Sequence, residues 1–403
     1  MPRSARSNLL IILILGALST VSPFSIDMYL PAFPQIAHDL GTTPAQISLS
    51  VSGYFIGLAL GQLFYGPLLD RFGRKRPLYA GLSLFTVASF GCIAVRSPEL
   101  FIAFRLLQAL GGCVAQVGAI AMVRDFFPAR ESAKILSLLM LVLSVSPLFA
   151  PSIGSLIATT IGWPWIFVIL AAFAALLMIV IGLLLPEGHR PDPEISLLPR
   201  AILEGFHQIL IRPQFYTYAL AGAFAFAGLF VYVAGSPIIF IDNFHVGPQA
   251  YGLIFAALAC SFIGGSQLNI WLSRRHEDHK IFRIAVMCQN VIMLILLVGT
   301  LYGWYGLAGN IVLLLLYLPF CGMAYPNAAA IALAPFSKNV GSASAVLGFL
   351  QMGIGAFAST GVGLLNASSS LTVFIVMAAT AFIGLLILLA NHRRVLIVRA
   401  GEA

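Results

Sequence analysis

Two charged residues stand inside long apolar runs, where their chemistry differs most from that of a surface charge. Asp27 lies in a run from Asn8 to Ala37, which is longer than the roughly 20 residues that cross a bilayer, and Arg105 lies in a later run. A charge in such a run is costly unless it meets water or a partner. A carboxyl group there can take up a proton on one side and release it on the other, and a nearby cation would favour its ionised form. Asp27 is therefore the predicted proton-coupling residue, and Arg105 would favour its ionised form if the two approach.

Each of these residues also has a purely structural interpretation. Asp27 could cap the outer end of its helix, an arrangement that Pro31 and Pro34 just beyond it would favour. Arg105 could donate hydrogen bonds to helix carbonyls and take no part in proton transfer. The sequence leaves both alternatives open.

Arg105 begins a polar stripe. Gln108, Gly112 and Gln116 follow it at i+3, i+7 and i+11, a spacing that puts all four on one face of a helix, and we expect this face to line a water-filled cavity. Other polar and aromatic residues could contact a substrate there, although helix packing explains each of them as well. The candidate substrate contacts are Tyr54, Gln108, Gln116, Phe230, Tyr232, Asn327 and Gln351.

The segment Gly66-Pro-Leu-Leu-Asp70-Arg71-Phe-Gly73-Arg74-Lys75-Arg76 combines glycines, one acid and several cations. Gly66 and Gly73 would allow close backbone approach and a sharp turn, and Asp70 could pair with cations at a helix end. A plain basic loop explains the cations but not the glycines spaced around an acid. We predict that this segment is a conformational gate.

A second charged pair is expected to join this gate. Arg124 and Asp125 fall at the inner end of the fourth apolar run, on the same side of the membrane as Asp70, Arg71 and Arg74. Opposite charges at the ends of neighbouring spans can form a cluster that closes in one conformation and opens in another. The prediction is a latch between the two halves of the chain.

No constellation of residues indicates an enzyme. His276 and His279 could chelate a metal at i, i+3 spacing, but a solvated polar loop explains them better. The chain has no phosphate-binding glycine loop, so we expect no cofactor and no metal, and any work must draw on an ion gradient. The net charge of +8 is spread in small groups along the chain, which argues against a nucleic-acid partner.

The elements that must hold these residues are membrane-spanning helices. Hydrophobic residues make up 60% of the chain and charged residues 9%, a composition typical of the bilayer interior rather than of a soluble core. Twenty of the 22 Lys and Arg residues fall at the termini and in alternate gaps between apolar runs, which predicts cytoplasmic termini. The predicted spans are 8–33, 46–68, 77–95, 99–122, 135–159, 165–185, 214–240, 249–272, 281–302, 308–333, 342–366 and 371–391.

These twelve spans divide into two similar halves. The longest hydrophilic stretch, 187–213, is rich in proline and mixed charge and predicts a cytoplasmic linker between six-helix bundles at 1–186 and 214–403. The halves echo each other at an offset of 210, as in Gly112 with Gly322 and Phe126 with Phe336. Duplicated halves are the usual construction of secondary transporters. The predicted fold class is thus an all-α integral membrane protein with two pseudo-symmetric bundles.

The motifs resemble those of a known superfamily along the whole chain. The segment Gly66–Arg76 resembles the signature of the major facilitator superfamily, G-x-x-x-D-R-x-G-R-[KR]. The run Arg105–Gly111 is similar to the superfamily's fourth-span motif. The run Pro147–Ser155, with Pro147, Pro151 and Gly154, is similar to its fifth-span antiporter motif, except that alanine and serine replace two glycines.

Four further runs resemble one branch of the superfamily, the twelve-span drug:proton antiporters for bicyclomycin and chloramphenicol. They are Ser25–Pro34, Gly61–Pro67, Arg124-Asp125 and Gly235–Pro237. The resemblance implies a monomer in the bacterial inner membrane that exports amphipathic small molecules in exchange for protons, with Arg105 in proton coupling. Uptake by symport, or export of one metabolite or siderophore, remains the alternative on the same fold.

Overall fold

The computed structural model describes residues 5–188, 191–193, 208–336, 340–365 and 369–402. Within these ranges the chain is helical and contains no strand. Twelve helical segments are long and apolar enough to cross a membrane, which confirms the predicted number of spans. Residues 1–4 and 403 lie outside the described residues, so the cytoplasmic termini stay a prediction.

The chain forms two compact units. The first comprises Met1–Thr43 and Gly53–Leu197, and the second comprises Pro44–Ser52 and Leu198–Ala403. Of the predicted linker 187–213, residues 189–190 and 194–207 lie outside the described residues. The linker and its exact limits therefore stay a prediction.

Among the described residues, seven α-helices come before residue 189 and six come after residue 207. The earlier helices are α1 (Ala5–Asp27), α2 (Phe33–Asp39), α3 (Pro44–Phe72), α4 (Lys75–Ala94), α5 (Pro98–Phe126), α6 (Ala129–Thr160) and α7 (Pro164–Leu184). The later helices are α8 (Pro213–Pro237), α9 (Pro248–Leu272), α10 (Asp278–Leu301), α11 (Leu307–Leu333), α12 (Val340–Leu364) and α13 (Ser370–Glu402).

Proline and small polar residues set many of these boundaries. Proline is the first residue of α3, α5, α7, α8 and α9, a position where its missing N–H leaves no hydrogen bond unmade. At the start of α5, the Ser97 side chain accepts a hydrogen bond from the Leu100 amide at 3.3 Å, which caps the helix. The position of Arg105 two turns into α5 follows from this start.

The first span is broken, which the sequence-based limits of 8–33 did not include. The α1 helix ends at Asp27, a 3₁₀ turn follows at Leu30–Ala32, and α2 continues to Asp39. Pro31 and Pro34 cause the break, because each lacks an N–H donor and disfavours helical backbone in the residue before it. Asp27 is therefore the last residue of a helix that ends inside a span.

Candidate functional site

Arg105 is fully buried in the first unit and is held by α1 and its own helix. It donates from Nη1 to Ser25 Oγ at 2.9 Å and from Nη2 to the Ser25 carbonyl oxygen at 2.8 Å. It also donates to Gln108 Oε1, one turn along α5. The rings of Tyr29 and Tyr54 lie 4.2 and 4.4 Å from the guanidinium carbon, so cation–π contacts stabilise the charge away from water.

The Ser25 carbonyl is available because α1 ends two residues later. The backbone of α1 closes with Met28 N donating to Phe24 O at 3.0 Å, and the carbonyls of the last turn of a helix lack intrahelical partners and carry partial negative charge. Arg105 supplies both a donor and a positive charge at that end. The alternative of an Arg bonded to a helix carbonyl is therefore part of the observed geometry.

Gln108 extends this network into the bundle. Its Nε2 donates to Ser89 Oγ of α4 at 2.7 Å while its Oε1 accepts from Arg105. Gln108 and Arg105 are both 0% exposed, so the expectation that they line a water-filled cavity is wrong in this structure. The physical reason is that the Ser25 and Ser89 hydroxyls, the Ser25 carbonyl and two aromatic rings contact these side chains in place of water. Of the polar side-chain atoms of Arg105 and Gln108, only Arg105 Nε has no hydrogen-bond partner within the described part of the chain.

Asp27 is buried, and no described residue gives its carboxylate a polar partner. It is 5% exposed, and its carboxylate makes no ion pair or hydrogen bond within the described part of the chain. It stands two residues beyond Ser25, about 200° around the helix, so it faces away from the side that Arg105 holds. No ion pair joins Asp27 to Arg105 among the described residues, and the two residues are linked through the backbone of α1.

The α6 helix packs against the same end of α1. Gly154 lies so close to Met28 that a Cβ atom at position 154 would overlap the Met28 carbonyl oxygen. Only glycine permits this approach. The α6 helix runs without interruption past Pro147 and Pro151 to Thr160. At the end of α1, Ser25 thus contacts α5, and Met28, three residues later, contacts α6.

A charge cluster lies at the other end of the first unit, with Arg74 at its centre. Arg74 donates from Nε to Asp125 Oδ2 at 2.7 Å and from Nη1 to Asp70 Oδ1 at 2.6 Å. Burial alone would lower the pKa of Arg74, but the hydrogen bonds and charges of Asp125 and Asp70 outweigh it and hold that pKa above its ordinary value. Arg74 is therefore charged at every physiological pH.

Glu187, which the sequence did not single out, completes this cluster. Its Oε1 accepts from the backbone N–H of Arg74 at 2.6 Å and of Lys75 at 3.3 Å, at the start of α4, where an anion is stabilised by unpaired amides. Glu187 follows α7 by only three residues. An acid directly after an apolar helix, predicted to lie on the same side as the start of α4, was the signal available in the sequence.

The other predicted gate residues have different surroundings. Gly73 has φ +80°, as the predicted sharp turn requires. Gly66 has nothing within 4 Å of an added Cβ, so the expected close approach there is wrong. The Arg71 guanidinium lies 5.8 Å from the ring of Phe72. Arg124 lines a cavity of about 220 Å³ with Asp70, Arg74 and Asp125, but no ion pair of Arg124 occurs among the described residues.

The substrate contacts predicted in the later helices are mostly engaged in packing. Phe230 packs so tightly on α12 that a Cβ at Gly355 would overlap its ring, and Tyr232 stacks on Phe255 at 5.7 Å. Asn327 donates to Asn269 Oδ1 at 2.6 Å, which ties α11 to α9. These contacts explain why the residues are buried without any ligand.

Three other candidate contacts differ in how they are placed. Tyr54 stacks on Arg105 in the first unit. Gln351 is 7% exposed and has no hydrogen bond among the described residues. Gln116 is half-buried on α5. The role of each in binding substrate stays a prediction.

Comparisons with known proteins give a consistent result. The family model of the Major Facilitator Superfamily matches residues 15–360. An uncharacterized MFS-type transporter, YdgK of Bacillus subtilis, is 32% identical over 384 residues, which are 94% of this chain and 95% of YdgK. A bicyclomycin resistance protein homolog of Haemophilus influenzae is 28% identical over 383 residues, 94% of this chain and 96% of its own. Further relatives are named for multidrug or chloramphenicol resistance.

A crystal structure of a D-xylose–proton symporter is similar in fold. It superimposes with a TM-score of 0.72 at 15% identity and covers 94% of this chain and 96% of its own. At that identity the likeness concerns the arrangement of the helices alone. It agrees with the predicted all-α membrane fold.

Proposed function

The chain belongs to the major facilitator superfamily, and from that premise we propose that it exports amphipathic drugs or related small molecules from the bacterial cytoplasm in exchange for protons. Relatives named for bicyclomycin, chloramphenicol and multidrug resistance support export of drugs. The chain is a multi-pass membrane protein. Residence in the bacterial inner membrane, a monomeric state, and a proton gradient as energy source in place of any cofactor are parts of the proposal.

One observation carries the proton part of this proposal. Asp27 is buried at the end of α1 and has no ion pair or hydrogen bond with any other described residue. Withdrawal from water disfavours the charged form of a carboxyl group, and a missing cation partner leaves that cost unrelieved. Such a group binds a proton when it faces the interior and releases it when water or a polar ligand reaches it. An acid inside a membrane span is, by default, a candidate for a proton site.

Because α1 ends at Asp27, a proton bound there can change the backbone conformation next to it. Arg105 of α5 holds the Ser25 carbonyl, and Gly154 of α6 lies against the Met28 carbonyl. A change of charge at Asp27 therefore acts on a short piece of backbone that two other helices contact. We infer that protonation and substrate binding compete for this piece of α1, so that export of one molecule accompanies inward movement of protons.

A second candidate function is uptake by symport. The observation that favours it is the antiporter motif of α6, in which Ala150 and Ser155 stand where glycine is expected. Gly154, which makes the close contact with Met28, is retained. We therefore place export first.

The direction of flux separates the two candidates. In inside-out vesicles with an acidic lumen, we expect labelled chloramphenicol added to the medium to accumulate in the lumen, and a protonophore to abolish the accumulation. Vesicles without the protein are the control. Gradient-driven loss of a preloaded solute from the lumen, with no accumulation of drug, would support symport instead. Failure of every drug tested, with the protein intact, would favour a single metabolite or siderophore as substrate.

A further inference from the structure

An open apolar groove runs along the outer surface of the second unit. It has a volume of about 480 Å³ and lies between α9 and α10, over one side of α11. Leu268, Ile284 and Leu316 line it and are 46%, 59% and 52% exposed. At one end the wall is polar and basic, because His276 and Lys280 line the groove there. The groove is thus apolar along its length and basic at one end.

Close helix packing next to the groove explains why it stays open. Gly265 lets α9 approach α11 so closely that an added Cβ would overlap the carbonyl oxygen of Pro319. The α10 helix also packs along α11. The wall of the groove over Pro319 and Phe320 is therefore shared by three helices that are already tightly packed. A flexible apolar chain can fill the space without moving any of them.

The basic end lies at the level where lipid headgroups are expected. Trp271 is 49% exposed, and the guanidinium carbon of Arg275 lies 4.6 Å from its ring. Tryptophan on an outer helix surface marks the boundary between lipid and water. His276 and Lys280 follow within nine residues of Trp271. They are thus placed to meet a headgroup whose acyl chain enters the groove.

The positive charge at this end is available to a ligand. Lys280 Nζ is 3.7 Å from Glu277 Oε2, with side chains 67% and 71% exposed. Such an exposed pair is weak, about 0–1 kcal/mol, and exchanges readily for a stronger anion. From Arg274 to Lys280 the chain carries three Lys or Arg and two acidic residues, so the segment has a net positive charge.

We propose that this groove binds an anionic phospholipid, with an acyl chain along Leu268 and Leu316 and the phosphate at Lys280. Its volume falls within the roughly 300–1,000 Å³ of specific ligand sites. Basic pockets between spans on the cytoplasmic side are suited to anionic headgroups, and the distribution of Lys and Arg predicts that this end is cytoplasmic. A neutral amphipathic drug would gain no charge interaction with the cations, and a free phosphate ion would make no apolar contact with the groove.

Native mass spectrometry of the full chain in neutral detergent tests this site. The probes are phosphatidylglycerol and phosphatidylcholine with identical acyl chains. We expect phosphatidylglycerol to bind more tightly to the unaltered protein. Lys280→Gln, which retains most of the apolar stem, should lower its affinity about fivefold, equivalent to about 1 kcal/mol for one cation near the membrane surface. Lys280→Arg should restore it, and Lys134→Gln on α6 is the matched control.

A second variant tests the apolar part separately. Leu268→Trp fills the groove at an exposed position and should weaken both lipids, while the melting temperature stays unchanged. Equal binding of the two lipids, or an unchanged affinity in Lys280→Gln, would overturn the proposal. Displacement of phosphatidylglycerol by inorganic phosphate, with no effect of Leu268→Trp, would overturn it in favour of an anion site. Loss of drug transport in Leu268→Trp, with lipid binding unchanged, would assign the groove to the substrate instead.

Discussion

The two units bury different kinds of polar side chain. Among the described residues, the buried charged side chains are Asp27, Arg74 and Arg105, and all three belong to the first unit. The second unit buries amides and hydroxyls instead, such as Asn269 and Asn327. Buried charge is expensive in a membrane protein and is retained where it has a function. On the proposed function, the energy coupling is therefore expected to reside in the first unit.

The amides of the second unit join helices to one another. Asn327 connects α11 to α9, and Asn290 of α10 donates to the Ala381 carbonyl oxygen of α13 at 3.0 Å. Hydrogen bonds of this kind contribute about 0.6 kcal/mol each in membrane proteins. They change little when a proton moves, because amides do not titrate. The second unit is therefore expected to act as the stable partner of a first unit whose charge state changes.

The largest effect is expected for replacement of Arg105, which is the centre of the buried hydrogen-bond network in the first unit. Arg105→Met should lower the free energy of unfolding in detergent by about 2–6 kcal/mol, because the Ser25 carbonyl and Gln108 Oε1 each lose a buried donor and each loss costs about 1–3 kcal/mol. Arg105→Lys should recover only part of this, since an ammonium group lacks the planar fork. An Arg105→Met protein as stable as the unaltered one would contradict the buried network.

A smaller effect is expected where α6 meets α1. Gly154→Ala places a methyl group against the Met28 carbonyl, so we expect a loss of about 1–3 kcal/mol in the free energy of unfolding from overpacking. Transport should fall with it, because the backbone next to Asp27 shifts. Gly264→Ala is the matched control, since nothing lies within 4 Å of a Cβ there. Equal effects of the two substitutions on stability and transport would show that the contact of Gly154 with Met28 is not needed for transport.

The charge cluster of the first unit should respond more strongly than an exposed pair of the second. Asp125→Asn removes a charge from a carboxylate that is 12% exposed and bonded to Arg74, and should cost about 1–3 kcal/mol in the free energy of unfolding. Glu277→Gln breaks the exposed pair with Lys280 and should cost at most about 1 kcal/mol. Denaturation of both variants at low and high salt measures this contrast. Similar costs would show that burial does not distinguish the two pairs.

The smallest effect is expected at the amide pair of the second unit. Asn327→Leu should cost about 0.6 kcal/mol in the free energy of unfolding, with transport nearly unchanged, because the Asn269 pair serves packing. Drug accumulation in vesicles measures the second quantity. Loss of transport at unaltered stability would instead support the sequence-based prediction that Asn327 contacts the substrate.

The sequence predicted the framework well because its signals are strong and local. Long apolar runs separated by basic gaps gave the number of spans, and Gly73 gave a turn with positive φ. Pro31 and Pro34 account for the break after Asp27, but the sequence-based limits of 8–33 did not include it.

Contacts between distant residues could not be predicted in the same way. The sequence grouped Asp27 with Arg105 because both are charged, whereas Arg105 bonds to Ser25, which lies about 200° around α1 from Asp27. Arg74, rather than Arg124, bridges Asp70 and Asp125, because the turn at Gly73 aims Arg74 inward. Glu187 belongs to the cluster although it lies 113 residues beyond Arg74 in the sequence. No local sequence pattern predicts a contact over that separation.

Proton release from proteoliposomes is the most direct test of the central claim. The unaltered protein, Asp27→Asn and Asp242→Asn would be compared under an imposed gradient with an acidic lumen, while a chloramphenicol-like drug is added outside and lumenal pH is followed. Asp242 is the matched control, an acid near the end of a span in the second unit. The account predicts drug-dependent loss of lumenal protons with the unaltered protein and Asp242→Asn, and none with Asp27→Asn. Undiminished proton release by a folded Asp27→Asn protein would contradict it.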